Sequence, residues 1–328
     1  MVSRLPFELV HTALRAAAEA TRLRILALLT QAELTVSDLT EILRQSQPRI
    51  SRHLKLLAEA GLIERHREGS WAFFRVADQE GGAEMVRLLS DYLDPDDPVL
   101  ARDRERLAAV RQARAKAAQD YFSTHAAQWD RIRKLHAADE AVEGAIVEAL
   151  GDKPVRALLD LGTGTGRMLE LFGPAIERGL GVDLSPDMLS LARARLDRAG
   201  LKHCSVRQGD IYNLALPRES FDVVLVHQVL HFLEDGARAI REAARVLTPS
   251  GRLMVIDFAP HDLEFLREEH AHHRLGFAPE TVSQWLEAAG LDVTLQKTIA
   301  PEADGKIAVS LWLARDPRIQ LAGRKEVA

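Results

Sequence analysis

Glycines at 162, 164 and 166 directly follow the mostly apolar run 155–161, and a carboxylate, Asp183, comes 21 residues after the first of them. Glycines let a turn take positive φ and bring backbone N–H groups close to a ligand. The helix expected from Arg167 turns its positive end toward the same loop. A carboxylate closing the second strand at that distance can accept both hydroxyls of a ribose. The spacing describes a nucleoside site, although such a loop taken alone also suits a plain tight turn. Three details narrow it. The loop is G-x-G-x-G and not G-x-G-x-x-G. Asp160 lies two residues before the first glycine, where it can hold an ammonium group through the loop. A second acidic site, Gly209-Asp210-Ile211, follows a third strand at 203–208.

With Phe221-Asp222 opening a fourth strand, residues 121–315 resemble the class I S-adenosylmethionine-dependent methyltransferases, especially the small-molecule type related to quinone-biosynthesis enzymes. The segments DLGTGTG, GVDLSPDML, GDI, FDVVLVHQVLHFLED and VLTPSGRLMVIDF carry the resemblance, in that order. It implies a Rossmann-like α/β domain with a mostly parallel seven-stranded sheet, whose antiparallel edge comes from strands at 291–299 and 306–314. It also implies S-adenosylmethionine as cofactor, held by Asp160, Gly162, Thr163, Gly164, Gly166, Asp183, Leu184, Met188, Asp210, Ile211 and His227.

Ligands of open parallel sheets bind beyond the carboxyl ends of the strands. The fourth strand, 221–226, runs out into His227-Gln228-Val229-Leu230-His231, and the fifth, 252–258, into Ala259-Pro260-His261-Asp262. Methyl transfer from a sulfonium needs alignment and exclusion of water, with a base only where the nucleophile loses a proton. His227, His231 and His261 are the candidate catalytic bases. An amino-directed DNA methyltransferase would carry Asp/Asn-Pro-Pro-aromatic after the fourth strand, and a cytosine-C5 enzyme a Pro-Cys nucleophile. Arsenite methyltransferases use several cysteines, and this chain has one, Cys204. A small organic acceptor remains.

Residues 263–277 hold His270, His272 and His273 beside Glu268 and Glu269. Three readings stay open: a metal site using Glu269 and His273, four apart on one helical face, acceptor binding, or a solvated face. No metal ligand is assigned. Tyr121, Phe122, His125 and Trp129 precede the sheet. The resemblance implies a segment folded over the cofactor, while the residues alone suit core aromatics equally.

The elements before this domain read differently. Helices are expected at 5–20 and, capped by Thr21, at 22–29. Thr35 with Asp38 makes a capping-box start for a third ending near Leu43, and Ser46 caps a fourth. In that fourth helix Ile50, Leu54 and Leu57 face the core, and Pro48 is tolerated in the first turn. The other face offers Gln47, Arg49, Ser51, Arg52, His53 and Lys55, side chains suited to base edges and phosphates. Strands at 62–67 and 71–76 form a hairpin around Glu68-Gly69-Ser70, with Arg65, His66 and Arg67 flanking its tip. Helix-turn-helix plus basic hairpin is a winged helix, and residues 20–76 resemble the ArsR-type repressors, which implies a homodimer on double-stranded, palindromic operator DNA. Thr35 and Ser37 stand where metal-sensing members carry Cys-x-Cys, so soft-metal sensing through that box is not expected.

Residues 83–93 form a helix with Met85, Leu88, Leu89 and Leu93 in an apolar stripe, and the resemblance makes it the dimer helix. DPDDP at 94–98 is an extended turn, and 100–119 a charged, solvated connecting helix. The expected domains are a DNA-binding and dimerisation domain at 1–93, a helical linker at 94–120 and a methyltransferase domain at 121–328. Residues 1–77 hold 11 Lys/Arg and 8 Asp/Glu, net +3, against −5 for the whole chain, so the basic part is the DNA-binding one. A single cysteine and no long apolar run point to the cytoplasm, without membrane insertion or export. Two functions compete: a DNA-binding regulator fused to a methyltransferase for a small organic acceptor, or a transcription factor whose catalytically silent second domain senses S-adenosylmethionine or S-adenosylhomocysteine.

Overall fold

The computed structural model describes residues 5–68, 71–77, 81–126, 139–301 and 307–318. The chain divides into two compact units, Met1–Lys116 and Ala117–Ala328.

The first unit runs α1 (Phe7–Ala17), α2 (Ala20–Leu29), β1 (Leu34–Thr35), α3 (Val36–Leu43), α4 (Gln47–Glu59), β2 (Ile63–Glu68), β3 (Trp71–Val76), α5 (Gly82–Asp91) and the start of α6 (Pro98–His125). Ile25, Leu39, Ile42, Ile50, Leu54 and Leu57 are at most 1% exposed and form its core. The hairpin forms where expected. The two-residue strand β1, too short for a pattern of its own, adds to it as β1-β3-β2.

Helix starts follow local chemistry. Thr35 and Asp38 make the full reciprocal box, with Asp38 N–H on the Thr35 hydroxyl at 3.2 Å and Thr35 N–H on the Asp38 carboxylate at 2.8 Å. At α2 the expected cap is corrected. Glu19, one residue before the helix, accepts Arg22 N–H at 3.0 Å, while Thr21 lies inside and accepts from the Gln45 amide at 3.1 Å. Ser46 occupies the N-cap position of α4, but its hydroxyl caps nothing.

The 94–120 linker is also revised. Asp97 starts α6 by accepting the N–H groups of Val99 and Leu100 at 2.8 and 3.1 Å. Leu107 and Val110 then enter the core of the first unit, and Asp103, 2% exposed, takes two N–H groups of Arg24 at 2.6 Å each. Asp103, Leu107 and Val110 stand at i, i+4 and i+7, a buried stripe hidden within an Ala/Arg-rich sequence. This part of α6 is therefore a helix of the first unit and not a solvated connector.

The second unit continues α7 (Asp139–Leu150), β4 (Val155–Leu161), α8 (Arg167–Phe172), β5 (Ile176–Asp183), α9 (Pro186–Arg198), β6 (Cys204–Gln208), β7 (Phe221–His227), α10 (Gly236–Arg245), β8 (Leu247–Phe258), α11 (Phe265–His270), α12 (Pro279–Ala288), β9 (Asp292–Ile299) and β10 (Val309–Arg315). The seven strands are ordered β6-β5-β4-β7-β8-β10-β9. The first five are parallel and β10 is antiparallel to both neighbours. Fully apolar strands such as Leu158-Leu159 and Val223 to Val226 are buried on both faces by separate hydrophobic layers. Strand order reverses between β4 and β7, so a crevice opens at their carboxyl ends. Of the two C-terminal strands the later one is internal. Trp312 on β10 is fully buried, its indole N–H on Pro279 O at 3.0 Å, whereas β9 has only exposed and half-buried positions, as an edge strand does.

Candidate active site and DNA-reading face

The glycine loop is built by hydrogen bonds to the neighbouring strand. Gly162 and Thr163 N–H donate to Val182 O at 2.8 and 3.1 Å. Gly162 adopts φ +69°, and a Cβ there would meet a methyl of Val229 at 2.3 Å, so only glycine lets the β4 and β7 ends close together. Gly166, at φ +80°, is the N-cap residue of α8. Asp160 is 2% exposed and accepts the Thr163 hydroxyl at 2.6 Å, holding the loop from beneath.

Asp183 closes β5. Its two oxygens accept Gly164 N–H at 2.8 Å and Ser185 N–H at 2.9 Å, which fixes the carboxylate while leaving lone pairs for a ligand. Burial pushes its carboxyl above the ordinary carboxylate range, against the downward pull of those N–H groups and that of Leu184. Ser185 caps α9 through Met188 N–H, Leu184 is exposed and Met188 buried. Asp210 is exposed at the end of β6 and accepts Tyr212 N–H at 2.8 Å, with Ile211 half-buried beside it. These residues fit a nucleoside: a fixed carboxylate for the ribose, backbone at close approach, and apolar side chains for a base.

Sequence reasoning missed the buttress behind the loop. Glu143 on α7 takes two N–H groups of Arg167 at 2.8 and 2.6 Å, Arg167 also pairs with Glu170 at 2.8 Å, and Arg195 donates to Thr165 at 3.0 Å. The Glu143 contact raises the Arg167 pKa. Only α7 packing back on the loop reveals this pair, which lies 24 residues apart in sequence.

The three candidate histidines differ. His231, 1% exposed, places Nδ1 2.7 Å from Oδ1 of Asp257, which is fully buried and also accepts Phe258 N–H at 2.7 Å. A carboxylate that already takes a backbone donor orients this imidazole: in the neutral ring the proton on Nδ1 faces the carboxylate and Nε2 carries the lone pair. His227 is 9% exposed at the end of β7 and hydrogen-bonded in register with Ile256. His261 is half-buried. Its Nδ1 accepts Leu263 N–H at 3.3 Å, and burial, with His231 and Arg267 nearby, lowers its pKa to about 4, which makes it a weak base and corrects its expected role. Gln228 takes φ +54°, a left-handed conformation that costs about 1–3 kcal/mol and clusters at functional sites.

Aromatic rings surround His231, with Phe232 at 4.0 Å, His272 at 4.2 Å and Phe258 at 4.9 Å between centroids. Phe122 lies edge-on to Phe232 at 4.7 Å, and the Tyr121 hydroxyl meets His270 Nδ1 at 2.6 Å, so Tyr121 and Phe122 belong to this cluster, as does His125 over Tyr121. Trp129 lies outside the described residues. The helical pairing of Glu269 with His273 is corrected: α11 ends at His270, and Ala271 at φ +56° turns the chain away. Among the described residues no three His, Cys, Asp or Glu groups converge to hold a metal.

On the first unit, α4 exposes Gln47, Arg49, Ser51, Arg52 and Lys55, and β2 exposes Arg65. His53 is corrected. It is 9% exposed with neither ring nitrogen hydrogen-bonded among the described residues, has Nδ1 3.7 Å from the Glu19 carboxylate, and faces inward, since residue 53 lies one step from the Ile50, Leu54, Leu57 stripe. The side chains of His66 and Arg67 lie outside the described residues.

Two family models match this chain: that of bacterial regulatory proteins of the arsR family at residues 19–65, and that of a methyltransferase domain at residues 159–255. A demethylmenaquinone methyltransferase of Deinococcus radiodurans is 35% identical over 46% of this chain and 64% of its own length. An uncharacterised methyltransferase of Bacillus subtilis is 30% identical over 43% of this chain and 55% of its own. The chain thus spans less than two thirds of these curated relatives. A chain from the solved complex of the Haloferax volcanii Trm112 methyltransferase activator with a methyltransferase superposes with TM-score 0.50 at 24% identity, over 60% of this chain and 98% of that one, which supports the fold. The protein carries an ArsR-family helix-turn-helix domain followed by a methyltransferase domain on a mostly parallel seven-stranded sheet.

Proposed function

We propose that this protein is a DNA-binding regulator fused to an S-adenosylmethionine-dependent methyltransferase that acts on a small organic acceptor. The observation that carries the reading is the juxtaposition of a nucleoside-shaped loop at β4 and β5 with the buried His231–Asp257 pair at β7 and β8. The first binds and the second moves a proton, and both lie at carboxyl ends of one sheet. The pair favours an enzyme over a silent sensor, since a binding site needs no buried carboxylate behind an imidazole.

Bound S-adenosylmethionine supplies an electrophilic methyl group on sulfur. The residues that would hold it are Asp183 for the ribose, the Gly162 to Gly166 loop with Asp160 for the amino-acid end, and Met188, Leu184, Asp210 and Ile211 around the base, with His227 at the end of β7. His231 Nε2 accepts the acceptor's proton, and Asp257 stabilises the imidazolium that results. The surrounding rings exclude water. The demethylmenaquinone methyltransferases among the relatives make a flat, oxygen-bearing acceptor a fitting class.

The winged helix binds double-stranded operator DNA through Gln47, Arg49, Ser51, Arg52 and Lys55, with Arg65 on the hairpin for the DNA backbone, and Arg67 in the same strand assigned to it by sequence. The protein is a homodimer through α5, the expected 83–93 helix, in which Leu88 is 46% exposed; Tyr92, just after it, is 84% exposed, and on α1 Phe7 is 78% exposed, large apolar surface for a monomer to leave in water. No helix among the described residues is long and apolar enough to cross a membrane, and the reading places the protein in the cytoplasm.

The test is transfer of radiolabel from methyl-labelled S-adenosylmethionine into small molecules of a cell extract. Wild type is expected to label a low-mass species, and Asp257→Asn to slow the labelling at least a hundredfold, because the imidazole tautomer is lost. Binding of S-adenosylmethionine without any labelled species would favour the sensor. Operator affinity with and without S-adenosylmethionine then tests regulation, since any effect must be reciprocal.

A further inference from the structure

Resting on that methyltransferase reading, we propose that the acceptor presents two oxygens to this site: an enolic or phenolic hydroxyl that gives its proton to His231, and a neighbouring carbonyl or hydroxyl oxygen that accepts hydrogen bonds from His261 Nε2 and the Gln228 amide.

The inference follows from which nitrogen carries a hydrogen. In His231, Nδ1 donates to Asp257 at 2.7 Å, so Nε2 offers a lone pair. In His261 the arrangement is reversed. Nδ1 accepts the Leu263 N–H at 3.3 Å, so in the neutral ring the hydrogen is on Nε2, and that atom is buried with no hydrogen-bond partner among the described residues. The depressed pKa of His261 keeps the ring neutral at physiological pH and this tautomer in force. Gln228 is 6% exposed, held in a left-handed conformation, and its amide nitrogen is likewise buried and without a partner among the described residues. Buried donors without partners are rare in folded proteins and each costs about 1–3 kcal/mol.

The two imidazoles border one ring: Phe258 lies 4.9 Å from His231 and 5.9 Å from His261. Gln228 leaves β7 three residues before His231, and its N–H is tied to Ile256 O on β8 at 2.7 Å. Beyond the ends of these two strands the protein therefore offers one lone pair and two N–H donors. An amine acceptor engages the lone pair and leaves both donors unmatched. A hydroxyl beside a second oxygen engages all three, and the rings of Phe122, Phe232 and Phe258 suit a flat molecule carrying both. In the reaction the acceptor's O–H bond breaks, its proton goes to His231 Nε2, and the oxygen takes the methyl group from the sulfonium, which leaves as the neutral thioether. Gln228 and His261 orient the acceptor and hold its second oxygen while charge develops on the first.

The test uses the full chain labelled with 15N-histidine and saturated with S-adenosylhomocysteine, so that nothing turns over. Four probes are titrated while the imidazole resonances are followed: 2-hydroxyacetophenone, catechol, aniline and benzylamine. The two oxygen probes are expected to bind and to shift the His261 Nε2 and His231 Nε2 resonances, the two amines to bind several-fold more weakly. His261→Leu and Gln228→Leu should each weaken 2-hydroxyacetophenone by about three- to tenfold, the worth of one neutral hydrogen bond, and His261→Gln, which keeps a donor, should recover most of it. Aniline binding as well as catechol, no probe binding, or leucine variants that bind 2-hydroxyacetophenone like wild type would each overturn the proposal. Calorimetry with S-adenosylhomocysteine on the same samples separates the two ideas. Failure of wild type to bind it removes the methyltransferase reading and this proposal with it, whereas normal binding with indiscriminate probes removes only the proposal.

Discussion

Replacing Asp183 tests the nucleoside site most directly, because the carboxylate has two jobs whose sizes differ. It holds the loop by accepting Gly164 and Ser185 N–H at 2.8 and 2.9 Å, and it offers its remaining lone pairs to a ribose. Hydrogen bonds to a charged group are worth about 1.5–3 kcal/mol, so Asp183→Ala is expected to weaken S-adenosylhomocysteine roughly 10- to 150-fold. Part of that loss comes from a loosened loop and not from the ribose. A cycle with the ligand divides the two: wild type and Asp183→Ala are each titrated calorimetrically with methylthioadenosine and its 2′,3′-dideoxy analogue. Wild type should lose most of its affinity on removal of the hydroxyls, and the variant almost none, since the partner is already gone. Equal hydroxyl penalties in both proteins would refute the ribose assignment, even if Asp183→Ala binds weakly. Because burial raises this carboxyl's pKa, the affinity of wild type should also begin to fall at a higher pH on acidification than an ordinary aspartate would produce.

Arg52→Ala is expected to weaken binding to the DNA upstream of the gene, as a retardation assay would register, whereas His53→Leu should bind it within twofold of wild type and melt at a higher temperature, since it replaces a buried ring whose nitrogens make no hydrogen bond among the described residues and meet only the Glu19 carboxylate at 3.7 Å; a loss of DNA binding by His53→Leu would restore the outward-facing assignment. Leu88→Glu should shift sedimentation from dimer to monomer if α5 is the dimer helix, and an unchanged dimer would move the interface elsewhere. Folded His261 resists protonation down to about pH 4 while the unfolded chain takes the proton near 6.5, so its contribution to stability is present above 6.5 and lost as pH falls through 4; the melting temperature should drop across that interval, and less steeply in His261→Gln.

Local chemistry made much of this molecule legible. The glycine loop, its carboxylate and the five parallel strands follow from strong short-range patterns, and so do the α3 capping box and the hairpin. What escaped depends on partners brought together by the fold. Thr21 has the right type for a cap, yet Glu19 reaches the Arg22 N–H first. Residues 100–119 look solvated by composition, but one stripe of Asp103, Leu107 and Val110 is enough to bury a helix against Arg24 and the core. His53 shares a helix with five exposed polar residues, but four residues separate it from Leu57 on the buried stripe and from Arg49 on the exposed face, so it stands at the boundary of the two, and packing against the rest of the unit, not spacing, decides which way it faces.

The histidines show why residue type alone does not assign a chemical role. His231 and His261 are identical in sequence terms, each a few residues beyond a strand end, and both suit a base. Their roles diverge because one Nδ1 meets a carboxylate from the next strand and the other a backbone N–H two residues along. The first contact turns an N–H toward the carboxylate and leaves an outward lone pair on the neutral ring; the second leaves an outward N–H on a ring whose protonation burial opposes. Asp257 is 26 residues from His231 and is adjacent only because β7 and β8 are neighbours in register, His227 opposite Ile256. Exchanging the two partners would exchange the two roles without changing either histidine, so the acid–base assignment at this site belongs to the sheet order and to the single residue after Ile256, and not to the histidines themselves.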